Sequence, residues 1–252
     1  METPAQKIIS KVPEVTLLFW ILKILATTLG EIGGDAVSMS MKLGYLVSTL
    51  IFGVIFAILV IAQIRANKFK PILYWMTIIA TTTVGTTMAD FADRSLGIGY
   101  AGGSLILITF LLLSLLIWYK DLGSIAIHTV NSPKSEIYYW LTIMFSQTLG
   151  TALGDWSADT AELGYKGAAI VFSVLLAVIA IAYFRTKISS TVLYWTAFVL
   201  TRPLGAVVGD FLDKPISKGG LAVSRYSASF ILLLLIGLFI YLFPQRSAKQ
   251  PH

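Results

Sequence analysis

Trp20-x9-Gly30-x4-Asp35-x9-Tyr45 is the stretch on which the fold turns, because the chain writes it three more times without a gap. The other copies are Trp75-x9-Gly85-x4-Asp90-x9-Tyr100, Trp140-x9-Gly150-x4-Asp155-x9-Tyr165 and Trp195-x9-Gly205-x4-Asp210-x9-Gly220. Each copy carries a second acid within one helical turn of its Asp: Glu31, Asp93, Asp159 and Asp213. A fixed period is an architectural statement. The Trp anchors are 55, 65 and 55 residues apart, which reads as two tandem pairs joined by a longer linker, 120–135, and hence as two duplications.

The composition around the motif points to a membrane. Of 252 residues 56% are apolar and 13% charged, with a mean hydropathy of +0.81. That leaves too little polar surface to coat a soluble domain. The charges gather between apolar runs of about 20 residues, the length a helix needs to cross a hydrocarbon core. Lipid cannot satisfy an open backbone, so helices are expected. Eight spans follow, near 14–37, 43–64, 71–92, 98–119, 136–157, 166–184, 191–212 and 221–243. The repeats are 14–64, 71–119, 136–184 and 191–243, within one transmembrane domain covering 1–252.

An even number of spans per repeat sends all four copies into the membrane in the same direction, as parallel helical hairpins. The N-terminal side of the hairpins holds Lys7, Lys11, Arg65, Lys68, Lys70, Lys120, Lys134, Arg185, Lys187, Arg246 and Lys249. The far side holds Lys42, Arg94, Lys166, Lys214, Lys218 and Arg225. This bias places both termini in the cytoplasm. Lys7 and Lys11 ahead of an apolar run resemble a signal peptide, but cleavage would remove part of the first repeat, so an uncleaved span is expected. The net charge of +6 favours anionic lipid headgroups. No basic surface with stacking aromatics suggests a nucleic-acid partner.

Even spans are nearly all Leu, Ile and Phe. Odd spans carry Ala26-Thr27-Thr28-Leu29-Gly30 and its counterparts. Small residues let helix backbones approach and hydroxyls bond across helices, so the odd helices are expected inside and the even ones outside. Gly30, Gly85, Gly150 and Gly205 are the packing positions. Trp20, Trp75, Trp140 and Trp195 sit near the cytoplasmic ends of the odd spans, where an interfacial belt of anchors is expected. Lys23 is expected to snorkel to the same interface.

The acids carry the chemistry. Spacings of three or four residues put Glu31 with Asp35, Asp90 with Asp93, Asp155 with Asp159 and Asp210 with Asp213 on common helix faces, where like charges repel unless neutralised. Ionisable groups within spans are costly, and repeating them four times suggests function. Four like-oriented helices would gather these carboxylates around one axis, giving an oxygen-only site suited to Mg²⁺, Ca²⁺, Mn²⁺ or protons. Arg202, where other copies have Thr27, Thr82 and Gln147, needs an acid partner and is a candidate counter-ion or coupling residue. Pro203 beside it should loosen the seventh helix. With no cysteine thiolate chemistry is excluded. His128 and His252 lie in a predicted loop and at the C-terminus, so an imidazole-rich metal site in the bundle is not expected.

The four tandem two-helix, Trp-containing repeats resemble a family of bacterial integral membrane proteins built of four copies of a repeat of unknown function. The resemblance implies the eight-span architecture and a bacterial inner-membrane location, and no function. A weaker likeness is to manganese and calcium transporters with a Glu-x-Gly-Asp-Lys/Arg-Ser/Thr signature; the nearest stretch is Glu31-Ile32-Gly33-Gly34-Asp35-Ala36, with one residue too many and no following base.

The expected function is secondary transport of a hard divalent cation, Mn²⁺ foremost, as proton-coupled export by an antiporter. Its partners are the lipid bilayer, the inorganic cation and protons. The cation is substrate; no tightly bound cofactor is expected, and a homo-oligomer is compatible with the sequence. The alternatives are carriage of a small organic cation or other polar solute, with Phe91, Trp156 and Phe211 as an aromatic cage, or a non-catalytic scaffold. No enzyme is expected: an aspartyl protease needs one unique Asp pair, and there is no P-loop.

Overall fold

The computed structural model describes residues 10–249; Lys7 and His252 lie outside them. Among the described residues there are eight long helices and no strand. They are α1 (Leu17–Asp35), α2 (Tyr45–Arg65), α3 (Pro71–Asp90), α4 (Tyr100–Leu122), α5 (Pro133–Asp155), α6 (Gly164–Arg185), α7 (Ser190–Asp213) and α8 (Arg225–Leu242). Seven are long and apolar enough to cross a membrane. The exception, α5, carries Lys134, Glu136, Gln147 and several hydroxyls along its length.

Local chemistry sets the ends. Thr16 caps α1 by accepting from the Phe19 amide, and Ser132 and Ser135 form a capping box ahead of α5, with Pro133 at its first turn, where a missing N–H costs nothing. α2 and α4 start after Gly44 and Gly99, at φ 76° and 78°, a left-handed turn that an L side chain resists. α1, α3 and α5 each run on from Asp35, Asp90 and Asp155 into a π-helical turn, Ala36–Ser40, Phe91–Ser95 and Trp156–Thr160. α7 does not, and stays α-helical to Asp213. Pro203 leaves α7 continuous.

The odd helices form a closed ring in which α1 packs on α3, α3 on α5, α5 on α7 and α7 on α1. They run parallel: the Trp-bearing N-terminal ends meet at one end of the ring and the Asp-bearing ends at the other. Each even helix packs against the next odd helix, α2 on α3, α4 on α5, α6 on α7 and α8 on α1. The two helices of a repeat are thus splayed across a neighbour, and every repeat depends on the next for its cover. The outer helices present their Leu, Ile and Phe outward; Leu105 is 69% and Val54 61% exposed. The ends of the chain complete the closure, with Glu14 N–H donating to the Arg246 carbonyl at 2.8 Å and Ala248 N–H to the Val12 carbonyl at 2.9 Å.

Close approach within the ring is cyclic. A Cβ on Gly30 would fall 2.2 Å from Thr82 Cγ2, one on Gly85 3.0 Å from the Gln147 backbone, one on Gly150 2.2 Å from Arg202 Cγ and one on Gly205 2.0 Å from Thr27 Oγ1. In each copy the glycine receives the residue three positions before the next copy's glycine. Replacing Gly205 by Ala should therefore overpack the α7–α1 seam and lower stability by about 1–3 kcal/mol. Thermal unfolding of the purified variant checks this, and an unchanged midpoint would show the seam to be loose.

At the N-terminal end the aromatics also close a circle. Ring centroids lie 5.6 Å apart for Phe19 and Trp75, 5.7 Å for Tyr74 and Trp140, 6.1 Å for Tyr139 and Trp195, and 5.9 Å for Tyr194 and Trp20. The expectation of a headgroup belt is corrected here. Trp75, Trp140 and Trp195 are buried and only Trp20 is half-buried. Two of the indole N–H groups are used internally, Trp75 toward Gln245 Oε1 at 2.8 Å and Trp195 toward the Ile125 carbonyl at 3.0 Å. The contact of each ring with one on the neighbouring inner helix keeps these side chains inside the bundle.

Candidate functional site

Counting back from each Asp in steps of four gives a stripe on every inner helix: 35, 31, 27, 23, 19 on α1 and the corresponding positions on α3, α5 and α7. All twenty residues are buried. Residues four apart form a continuous ridge on a helix, and four such ridges facing one axis make five layers. From the aromatic end they are Phe19, Tyr74, Tyr139 and Tyr194; Lys23, Ile78, Ile143 and Phe198; Thr27, Thr82, Gln147 and Arg202; Glu31, Thr86, Thr151 and Ala206; and Asp35, Asp90, Asp155 and Asp210.

The fourth layer locates the axis. Arg202 Nη2 lies 3.0 Å from Glu31 Oε2, 2.6 Å from Thr86 Oγ1 and 2.5 Å from Thr151 Oγ1. Those three residues occupy one position in the three other repeats. The fourth repeat has Ala206 there. Arg202 thus plugs the centre of the ring, and Glu31 is its acid partner.

The fifth layer holds the four Asp residues, each at most 3% exposed, and here the symmetry drops from four-fold to two-fold. Arg94 Nε lies 2.8 Å from Asp90 Oδ1 and its Nη2 3.5 Å from Asp155 Oδ2. Lys214 Nζ lies 3.0 Å from Asp210 Oδ1 and 2.5 Å from Asp35 Oδ2. Each base stands four residues after an Asp and bridges it to the Asp of the next repeat. The gaps between Asp35 and Asp90 and between Asp155 and Asp210 have no such bridge, because the equivalent positions are Met39 and Asp159. Burial alone would lower the Lys214 pKa, but the carboxylates of Asp210, Asp35 and Asp213 outweigh it and raise it above the ordinary lysine value. The ion-pair stabilisation from Lys214 is accordingly complete below about pH 10.4, the unfolded lysine value, and is lost only as pH rises through the higher folded pKa.

Among the described residues, two sets of three acids have one oxygen of each member within 4.8 Å of the others: Glu31, Asp155 and Asp210, and Asp35, Asp210 and Asp213. The first draws on three different helices and spans the ring. The second lies beside Lys214 and Arg225; Arg225 Nη2 is 3.4 Å from Asp35 Oδ2 and its Nε pairs with Asp213. Asp35 Oδ1 and Asp213 Oδ1 are buried without a hydrogen-bond partner.

The structure therefore brings together six of the eight acids named from sequence, Glu31, Asp35, Asp90, Asp155, Asp210 and Asp213. Asp93 is half-buried beside Gly103 on α4, and Asp159 is exposed. The π-helical turns explain this, because an extra residue per turn rotates the acid after Asp90 or Asp155 off the axial face. Arg94, Lys214 and Arg225 were missed as partners, being counted among the far-side basic residues, although Arg94 and Lys214 stand at the i, i+4 spacing that signals a helical ion pair. Lys23 departs from its expected snorkelling. It has no exposure, its Nζ lies 3.8 Å from the Phe198 ring centroid, and it donates to the Phe198 carbonyl at 3.2 Å.

No curated protein and no solved structure matches the chain. A family model does, four times over, at residues 18–69, 73–121, 138–189 and 193–247. These four matches coincide with the four hairpins and cover most of the chain, which therefore belongs to the family described as Repeat of Unknown Function (DUF347).

Proposed function

We propose that this is a multi-pass protein of the bacterial inner membrane, with both termini cytoplasmic, that acts as a secondary transporter of a hard divalent cation exchanged for protons. One observation carries the reading: Glu31, Asp155 and Asp210 converge from three helices on the ring axis, each offering an oxygen within 4.8 Å of the others. An all-oxygen, anionic set of that size suits Mg²⁺, Mn²⁺ or Ca²⁺, and intramembrane carboxylates mark ion and proton paths. The gap between Asp155 and Asp210 is unbridged by a base, which supports the cation entering there. Arg202 and the filled layers behind it, Ile78, Ile143, Phe198 and the aromatic circle, support a state closed toward the cytoplasm. Of the six far-side basic residues, Arg94, Lys214 and Arg225 serve the acids, which strengthens the positive-inside bias of the remainder.

The aromatic-cage alternative finds less support. Trp156 is 40% exposed, and Phe211 packs outward against the cluster around Tyr165 and Phe172. A protease reading wants one Asp pair free to share a proton, whereas here two neighbouring Asp pairs are each clamped by a base. Asp155→Asn with Asp210→Asn should abolish Mn²⁺ flux into proteoliposomes under a pH gradient while the protein still purifies as a folded species. Undiminished flux in that variant, or none in the parent protein, would sink the proposal; the latter outcome would favour a scaffold.

A further inference from the structure

We propose that the cleft between the end of α6 and the starts of α1 and α7 binds an anionic phospholipid, with an acyl chain along Trp20 and the headgroup at Arg185 and Lys187. The cleft arises from the way the four copies are covered at the aromatic end of the ring. Each even helix packs on the next odd helix, so the chain leaving it runs toward the Trp of the odd helix after that. The segment after α4 reaches Trp195, which donates to the Ile125 carbonyl, and the segment after α8 reaches Trp75, which donates to Gln245 Oε1. Beside α2 and α5 the N-terminal segment takes this place. Lys11 Nζ donates there to the Gln63 and Ile64 carbonyls at 3.1 and 3.0 Å and lies 2.6 Å from Glu136, one turn before Trp140. The segment after α6 is only residues 186–189, and Trp20 is the indole left half-buried.

The cleft measures about 450 Å³, within the range of small-ligand pockets. Trp20 and Ile24 of α1, Leu176 and Ala180 of α6, and Leu193 and Ala197 of α7 line it. Two of its hydroxyls are engaged with their own helices: Thr16 Oγ1 accepts from the Phe19 amide at 3.3 Å, and Thr201 Oγ1 donates to the Phe198 carbonyl at 2.9 Å. The interior therefore suits a hydrocarbon chain better than a polar solute. The mouth is basic. Phe184 closes the α6 wall and Ser190 opens the α7 wall, so Arg185 and the link carrying Lys187 border it. On the α1 side Val15 follows Glu14, whose N–H donates to the Arg246 carbonyl at 2.8 Å. Arg185, Lys187 and Arg246, three exposed bases, thus stand against one exposed acid, Glu14. The ion pairs at this end join other residues, Lys11 with Glu136 and Lys134 with Asp121. An acyl chain gains little by leaving other lipid for an apolar wall, so selectivity rests on the bases, and basic clefts between spans hold anionic headgroups.

The probe is a phospholipid with brominated acyl chains, which quenches indole fluorescence on contact. The full-length protein is reconstituted in phosphatidylcholine vesicles in which a rising fraction of either phosphatidylglycerol or phosphatidylcholine is brominated, and the Trp20 emission is taken as the difference between the parent and Trp20→Phe. Brominated phosphatidylglycerol should quench Trp20 at a mole fraction about tenfold lower than brominated phosphatidylcholine, the order that two bases beside an anionic headgroup supply. Arg185→Gln with Lys187→Gln should bring the two lipids level. Ala180→Phe, at an exposed position on the cleft wall, should fill the cleft and remove the selective quenching. Equal quenching by both lipids in the parent would overturn the proposal, because Trp20 would then meet bulk lipid alone. Absence of quenching by either lipid would also overturn it and assign the cleft to the chain's own residues. A preference that survives loss of both bases would overturn it by placing the headgroup elsewhere. None of these readouts depends on cation flux.

Discussion

Arg202→Ala should be among the most destabilising single substitutions in this chain, with an expected loss of ~3–5 kcal/mol, the range for removing one member of a buried ion pair. Arg202 has no exposure, and its removal leaves the Glu31 carboxylate, 3% exposed, facing Asp155 and Asp210 within 4.8 Å. Three acids would then share a site from which the nearest cation has been taken. Thr86 and Thr151 would not suffer in the same way, since each hydroxyl also bonds back to its own helix, Thr86 to the Thr82 carbonyl at 3.1 Å and Thr151 to the Gln147 carbonyl at 3.5 Å. The loss should therefore trace to Glu31. Arg202→Met combined with Glu31→Met should recover most of it, because exchanging a buried pair for apolar groups of similar volume is often neutral or better. Denaturant or thermal unfolding of the parent, Arg202→Met, Glu31→Met and the double variant measures the coupling in a double-mutant cycle. A double variant as unstable as Arg202→Ala would mean that Arg202 acts through packing at Gly150, and not through its charge.

How much of this was legible in the sequence depends on which physical rule controls each feature. The four hairpins were readable because the Trp, Gly and Asp spacing repeats without a gap, and span length is set by helix rise against membrane thickness. The inner and outer layers were readable because Thr28, Gly30 and Thr86 belong between helices, whereas Leu105 and Val54 belong outside. The splaying of each hairpin over its neighbour was not readable, since it depends on interhelical packing angles that no single span encodes. The inward turn of the Trp side chains was missed for the same reason. A Trp near a span end fits both a headgroup belt and an aromatic seal, and Phe19 against Trp75 decides between them only in three dimensions. In the site, the gathering of the Asp residues followed from parallel copies. The failure of Asp93 and Asp159 to join them came from the π-helical turns, a one-residue change of register with no composition signal here. Lys23 was the avoidable miss: it lies on the four-residue stripe through Asp35, Glu31 and Thr27, and that stripe outranks its nearness to the span end.

The two-fold pattern of bases predicts that Lys214→Met will also be severe, and that a metal will repair it. Lys214 holds Asp35 at 2.5 Å and Asp210 at 3.0 Å, so its loss leaves Asp35, Asp210 and Asp213, with oxygens within 4.8 Å of one another, to Arg225 alone. Breaking that buried arrangement should lower stability by ~3–5 kcal/mol. Arg94→Met, at the equivalent position, should cost less, because the Arg94 side chain is 33% exposed whereas that of Lys214 is 10%, and solvent screens part of what is lost. The three carboxylates exposed by Lys214→Met form an oxygen-only set for a hard cation. Millimolar Mg²⁺ or Mn²⁺ should therefore raise the unfolding temperature of Lys214→Met well above any effect on the parent protein, since a ligand that binds only the folded state stabilises it by mass action. Adding Asp35→Asn should abolish that rescue. A Lys214→Met protein that is destabilised but indifferent to divalent cations would show that Lys214 is a structural strut, and that the Asp35 group does not accept a metal in place of its ammonium.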